Sequence, residues 1–256
     1  MTAFSLELPA DILRRIAAAR RVVAFTGAGV SAESGLSTFR GAGGLWGRYR
    51  PEELATPEAF ARDPATVWRW YAWRWEQVAA ASPNPAHHAL TRWEALFPSY
   101  LLVTQNVDGL HRRAGSRDPV ELHGTIDRAR CERCAAERPM AEAVAESPDA
   151  PPRCRCGGRF RPAVVWFGEA LPRAALARAT AATADCELFV SIGTSAQVYP
   201  AAGLIELAHR AGACVLEVNP EPTPLSPLAA WRLAAPAGAA LPALTEALAR
   251  WQPSSR

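Results

Sequence analysis

The 256-residue chain contains no lysine; all 28 of its basic residues are arginine. That absence excludes a P-loop lysine, a Schiff-base lysine and a lysine general base together. If lysine takes part in the chemistry, a substrate brings it. An excess of one charge is missing too, since 28 basic and 25 acidic residues leave +3, too balanced a total for a nucleic-acid or membrane surface. Long apolar runs are also lacking. The uncharged stretch 188–205 is broken by Gly193, Ser195, Gln197 and Pro200, and residues near the start include Asp11, Arg14 and Arg15. These features suit a short amphipathic helix better than a signal peptide or a membrane span, so the expected location is cytoplasmic. The six cysteines are then reduced thiols or metal ligands before they are disulfides. What remains is ample: 49% of residues are hydrophobic, enough for one large domain or a domain with a small insert, and too many for disorder.

Short apolar runs at 21–26, 100–104, 164–166, 188–192 and 214–218 read as buried strands. Helical spacing appears at 64–81, 85–97, 173–184, 201–211 and 241–251. Near-continuous apolar strands alternating with helices predict an α/β fold with a Rossmann-like, doubly wound parallel sheet covered on both faces. Two stretches break the alternation: 39–81, rich in Arg, Trp and Gly and then helical, and 128–161, which holds four cysteines and several prolines. They are expected to build a smaller helical and zinc-binding lobe, leaving 1–38, 82–127 and 162–256 as the nucleotide-binding domain.

Gly27-Ala28-Gly29-Val30-Ser31-Ala32 follows the first strand and matches G-x-G-x-x-G/A. Glycines there permit a tight turn whose amides and helix N-terminus can face a pyrophosphate; an ordinary Gly-rich strand-to-helix turn is the competing reading. The acid that usually follows about 20 residues on, at the end of the next strand, is missing. That region reads Arg40-Gly41-Ala42-Gly43-Gly44-Leu45-Trp46, which disfavours a standard hydride-transferring dehydrogenase. Asn219, just after the 214–218 strand, is a candidate ribose partner.

Cys131-x-x-Cys134 and Cys154-x-Cys156 suit a closed tetrahedral zinc site with four thiolate ligands; disulfides or free thiols are the alternative. Four thiolates leave no open position, so such a metal is structural. Cys186 and Cys214 read as core residues.

Of the five histidines, His123 stands where a short strand, Val120-Glu121-Leu122-His123, ends at Gly124. That is the carboxyl edge of the sheet, where α/β sites form, and a neutral imidazole is the natural general base near pH 7. His87, His88, His111 and His209 fall in helices or helix openings and read as packed or solvated. Thr104-Gln105-Asn106-Val107-Asp108 follows a strand and opens a helical segment. It can hold a nicotinamide carboxamide and ribose, or simply cap the helix.

Taken together, GAGVSAESGLSTFRG (27–41), TQNVDGLH (104–111), ELHG (121–124), the cysteine pairs, VVWFGE (164–169), GTSAQVYPAA (193–202) and VLEVN (215–219) resemble the sirtuin family of NAD-dependent protein lysine deacylases. The resemblance implies NAD contacts from Gly27, Ala28, Gly29, Ser31, Glu33, Phe39, Arg40 and Trp46, with Gln105, Asn106, Val107 and Asp108. The adenosine half would fall to Gly193, Thr194, Ser195, Asn219, Pro220 and Glu221, with Ala237 closing over adenine. His123 is implied as the base. An acylated-lysine peptide is implied to add as a strand between Val165, Phe167, Gly168 and Glu169 on one side and Val198 and Tyr199 on the other. In the family reaction the acyl oxygen attacks C1′ of the nicotinamide ribose, nicotinamide leaves, and the products are free lysine and 2′-O-acyl-ADP-ribose.

Tyr71 and Arg74 are spaced i, i+3 on one face of a helix, and an Arg fork with a phenol can bind a carboxylate. Periodicity alone favours an amphipathic helix whose aromatics are core and whose arginines are solvated. The resemblance at Tyr71 and Arg74 is to class III sirtuins, which take succinyl-, malonyl- or glutaryl-lysine, and Ala55 matches the small residue that widens their acyl pocket. The expected enzyme is therefore a lysine desuccinylase and demalonylase, weaker on acetyl-lysine, with NAD as co-substrate and one structural zinc. A plain deacetylase and an NAD-dependent mono-ADP-ribosyltransferase are the alternatives. A monomer without nucleic-acid or membrane partners is expected.

Overall fold

Alternate residues of the first strand serve different cores. In a computed structural model describing residues 6–39 and 44–251, Val22 and Ala24 of strand β1 (Arg21–Thr26) face one apolar cluster, while Val23 and Phe25 face another. The strand lies in the middle of a six-stranded sheet covered on both sides, which is why it reads as a continuous apolar run. Its companions are β2 (Ser99–Thr104), β3 (Val120–Glu121), β7 (Leu188–Ile192), β8 (Cys214–Val218) and β9 (Trp231–Leu233). All pair in parallel in the order β3-β2-β1-β7-β8-β9.

Helices Ala10–Ala18, Pro85–Leu96 and Ala237–Arg250 cover one face through Ile12, Ile16, Leu90, Trp93, Leu241 and Leu244. Helices Arg173–Asp185 and Gly203–Arg210 cover the other through Ala179, Leu204, Ile205 and Ala208. The chain builds outward from β1 to β2 and β3, then returns to the opposite side of β1 with β7. The topological switch therefore falls between β1 and β7, where doubly wound sheets open a crevice beyond their carboxyl ends.

The second unit is a three-stranded antiparallel sheet, β5-β4-β6, made of β4 (Gly124–Cys131), β5 (Glu137–Pro139) and β6 (Phe160–Val164). Of the apolar run at 164–166, expected to join the parallel sheet, only Val164 is in a strand, as the last residue of β6 in this small sheet. One core joins it to helix Pro64–Ala80, packing Val67, Trp68 and Tyr71 with Ile126, Met140 and Trp166. That helix begins at Asp63, whose carboxylate accepts from the Thr66 amide at 3.0 Å, followed by Pro64 at the first helical position. Among the described residues no helix is long and apolar enough to cross a membrane.

Candidate active site

The crevice at the switch point is a cavity of about 740 Å³ running from the turn after β1 to the small sheet, within the usual range for small-molecule sites. It is lined by Gly27, Ala28, Gly29, Glu33 and Phe39 from the first turn, and by Gln105, Asn106 and Val107 from the segment after β2. Gly193, Thr194, Ser195, Asn219, Pro220, Glu221 and Ala237 line the end beyond β7 and β8. His123, Ala55, Tyr71, Val165, Phe167, Gly168, Glu169, Val198 and Tyr199 line the rest. Residues picked from separate segments of sequence thus meet on one surface. Arg40 and the side chain of Trp46 lie outside what the structure describes.

The glycines of the first turn are required by backbone packing. A Cβ on Gly27 or Gly29 would stand 2.8 or 2.7 Å from the Gly193 carbonyl oxygen, and one on Gly193 (φ +56°) only 2.5 Å from the Val30 nitrogen. The Gly27 and Gly29 amides donate to Ile192 and Gly193 carbonyls at 3.0 and 2.8 Å. These two amides, read from sequence as phosphate donors, instead lock the β1 turn onto the β7 turn. The α-helix start expected there is a 3-10 helix, Ala28–Ser34. Glu33 reaches across to accept from the Gly238 amide at 2.6 Å, fixing the far wall.

Ser31 and Asp108 differ from expectation. Neither lines the large cavity. Both are buried, and the Ser31 hydroxyl donates to Asp108 Oδ2 at 2.7 Å while accepting from Asn106 Nδ2 at 3.2 Å. Asp108 Oδ1 also accepts from the Leu110 amide at 2.9 Å, at the first residue of the short helix Leu110–Arg113. The pair holds Asn106 from behind the cavity wall, and burial raises the Asp108 carboxyl above its ordinary range.

His123 is placed by an enforced turn. Gly124 has φ +76°, and a Cβ there would meet the Ala163 carbonyl oxygen at 2.2 Å. The imidazole Nδ1 lies 2.9 Å from the Gln105 carbonyl oxygen. A carbonyl only accepts, so Nδ1 carries the proton and Nε2 of the neutral ring keeps its lone pair. Desolvation lowers the His123 pKa, and the bond to Gln105 opposes that shift, so the ring is neutral at pH 7. Gln105 itself donates through Nε2 to Thr194 Oγ1 at 2.9 Å, and Asn219 donates to the Thr194 carbonyl at 3.0 Å.

Along the other wall, the Val165 amide donates to the His123 carbonyl at 2.8 Å and the Phe167 amide to the Ala55 carbonyl at 2.9 Å. Tyr71 is buried with its hydroxyl 3.0 Å from the Trp166 indole nitrogen. Arg74 does not share the large cavity. It lies beside a neighbouring void of about 10 Å³ with Asp108 and Phe39, donating from Nη2 to the Ser37 carbonyl at 3.0 Å, its guanidinium 5.7 Å from the Phe39 ring centre. The Glu169 carboxylate, expected to face peptide, is engaged by Arg161 at 2.6 and 2.9 Å.

Sequence reading missed Arg161 and Trp166, while His87 and His111, read as packed or solvated, are buried. The two histidines lie with ring centres 4.8 Å apart and planes tilted by 56°, in a polar network with Thr26, Ser31 and Asn84.

In the small lobe the sulfurs of Cys131, Cys134, Cys154 and Cys156 all lie within 4.8 Å of one another. The pairs Cys131–Cys156 and Cys134–Cys154 stand at 3.5 and 3.7 Å. Zinc–sulfur bonds of about 2.3 Å in a tetrahedron put sulfurs about 3.8 Å apart. The donor set therefore suits a structural zinc, and a Cβ on Gly158 would intrude to 2.8 Å from the Cys131 sulfur.

A parallel sheet, a switch-point crevice floored by interlocked glycines, a carbonyl-anchored histidine and an inserted four-cysteine lobe together define a class, and direct comparison agrees with it. The Sir2 family model matches residues 27–200, and the chain belongs to that family. It is 52% identical to the NAD-dependent protein deacylase 2 of Pyrobaculum aerophilum over 242 residues, 94% of this chain and 95% of the relative. It is 53% identical to the NAD-dependent protein deacylase of Thermus thermophilus over 228 residues, 88% of this chain and 89% of that one. Among solved structures, a Sir2 homolog–NAD complex superposes with TM-score 0.89 at 45% identity, covering 98% and 97% of the two chains. A Sir2–p53 peptide–NAD+ complex gives 0.81 at 31% identity, with 93% and 97% covered.

Proposed function

We propose that this protein is an NAD-dependent protein lysine deacylase that prefers succinyl- and malonyl-lysine and acts more weakly on acetyl-lysine. NAD, when bound, supplies the labile nicotinamide–ribose bond at which the acyl oxygen is captured. The observation carrying the assignment is the 2.9 Å contact between His123 Nδ1 and the Gln105 carbonyl in the cavity wall. With Nδ1–H committed to the Gln105 carbonyl, the free Nε2 lone pair of a cavity-lining ring is available to accept a proton from a sugar hydroxyl. Asn106 lines the cavity and is braced by Ser31, which supports a role for it at the nicotinamide end. Thr194, Ser195 and Asn219 line the end of the cavity beyond β7 and β8, which supports a role at the adenosine end, and the 165–169 and 197–199 segments line the same cavity, which supports their taking an extended peptide. No side chain need form a covalent bond to substrate, which fits a cavity whose lining, among the described residues, holds no nucleophile–base pair.

Support for the acidic-acyl preference comes from helix Pro64–Ala80, which carries Tyr71 and Arg74 one turn apart. Arg74 lies outside the large cavity, beside the neighbouring void, and its contact there is with the neutral Ser37 carbonyl, one that a carboxylate reaching it can replace with a stronger, charge-assisted one. Competition among acetyl, malonyl, succinyl and glutaryl peptides, read as nicotinamide release, tests the preference. Arg74→Met should raise KM for succinyl peptide by about 10- to 100-fold, the loss of hydrogen bonds to a charged group, and spare acetyl peptide. Equal loss on both would make Arg74 structural. Mass spectrometry should show acyl loss from lysine; a gain of ADP-ribose on the peptide would overturn deacylation.

A further inference from the structure

Tyr71 lies buried in the cavity wall with a hydroxyl that accepts the Trp166 indole N–H at 3.0 Å. An indole nitrogen can only donate, so the phenol's own proton must point elsewhere, and among the described residues no acceptor takes it. Burial also holds that phenol well above its ordinary pKa, keeping the proton in place at any working pH. Trp166 has little freedom to do otherwise. Its ring lies 3.3 Å beneath the Arg161 guanidinium and packs on its other contacts against Phe60 at 5.3 Å, while its backbone amide donates to Glu169 at 2.8 Å. Arg161 is itself buried and held by both Glu169 oxygens and the Val164 carbonyl.

We propose that Trp166 is a specificity-determining positioning residue: by filling the acceptor side of the Tyr71 hydroxyl it commits that hydroxyl to donate to the acyl tail, and the Arg161–Glu169 pair holds Trp166 in place for this. The inference rests on the acidic-acyl reading of the same pocket and adds the residues that set its polarity. Without the indole N–H, the phenol is free to turn and serve as acceptor, and an oxygen-bearing tail loses its advantage over an apolar one.

The test compares succinyl-lysine with butyryl-lysine peptide, whose tail ends without an acceptor, as a ratio of kcat/KM values. Trp166→Phe keeps the stacked ring and removes the donor; the succinyl-to-butyryl ratio should fall about fivefold, the equivalent of one hydrogen bond, through KM for the succinyl peptide with kcat kept. In a Tyr71→Phe background the same change should lower the ratio no further. An unchanged ratio in Trp166→Phe, or an equal drop with and without the Tyr71 hydroxyl, overturns the proposal. Should Trp166→Phe not fold, Glu169→Gln, which leaves the indole and weakens the Arg161 clamp, should move the ratio the same way; no movement overturns the proposal equally. The starting ratio of the unaltered enzyme tests the acidic-acyl reading separately, failing it at or below unity, while the change in ratio tests the role of Trp166.

Discussion

Acidification from pH 7 to pH 5 should weaken the fold through two buried histidines, His87 and His111. His111 Nε2 lies 3.0 Å from Thr26 Oγ1, which spends its own proton on Thr104 at 2.8 Å, so His111 donates there. Its Nδ1 is buried without a partner. His87 Nδ1 accepts from the Asn84 amide at 3.2 Å, completing the capping box of helix Pro85–Leu96. Both rings are therefore neutral, and desolvation pushes their pKa values from 6.5 down to about 4 for His87 and about 3 for His111. Each folded value lies below the unfolded one, so the unfolded chain binds more protons between them. Stability is full above pH 6.5 and declines as the pH falls through that value. At pH 5 each ring stands about 1.5 units below its unfolded pKa, which at about 1.4 kcal/mol per unit removes about 2 kcal/mol per histidine. Together that is about 4 kcal/mol, a large share of the 5–15 kcal/mol typical of a whole domain. Urea unfolding followed by tryptophan fluorescence at the two pH values measures it. His111→Gln should reduce the loss by about 2 kcal/mol, and comparing variant with parent cancels the acid sensitivity of the zinc thiolates. If the variant shows the same loss as the parent, His111 accepts a proton inside the fold and the neutral network assigned here is wrong.

Two further outcomes follow from buried chemistry. A strong chelator, or Cys154→Ser, should remove one equivalent of zinc and lower the thermal midpoint, with turnover lost only as the small lobe opens; unchanged melting after metal removal would contradict a structural zinc. Ser31→Ala takes a charge-assisted hydrogen bond from the buried Asp108 carboxylate and should cost about 2 kcal/mol in urea unfolding and weaken NAD binding. A loss below about 0.5 kcal/mol would show that Asp108 is satisfied without it.

Strands buried on both faces were the most legible part of the sequence. β1, β7 and β8 begin and end where their apolar runs do, because two covered faces leave no polar alternation to blur the edges. β9 escaped notice: Trp231-Arg232-Leu233 is three residues long at the sheet's edge, with Trp231 exposed. The small sheet escaped for another reason. In β4, Ile126, Ala129 and Cys131 point inward among Asp and Arg residues, and a register shift between Gly124 and Ala129 breaks strict alternation. At the site, motif residues at the ends of strands were readable, since sheet topology brings strand ends together. Side chains acting through a neighbour were not: Ser31 and Asp108 were assigned to the cofactor because they sit in its motifs, yet their polar atoms meet each other. Arg161 gave no sign of being held by Glu169 eight residues on, nor Arg74 of resting on Ser37.

The most direct examination of His123 is single-substitution kinetics paired with NAD binding. His123→Ala should reduce nicotinamide release and acyl removal from a succinyl peptide by about 10²- to 10⁴-fold, the contribution of a positioned general base, while the dissociation constant for NAD stays within about threefold, a change worth well under 1 kcal/mol. Turnover within tenfold of the unaltered enzyme would contradict the account, because the imidazole anchored on Gln105 would then not be the group that takes the proton.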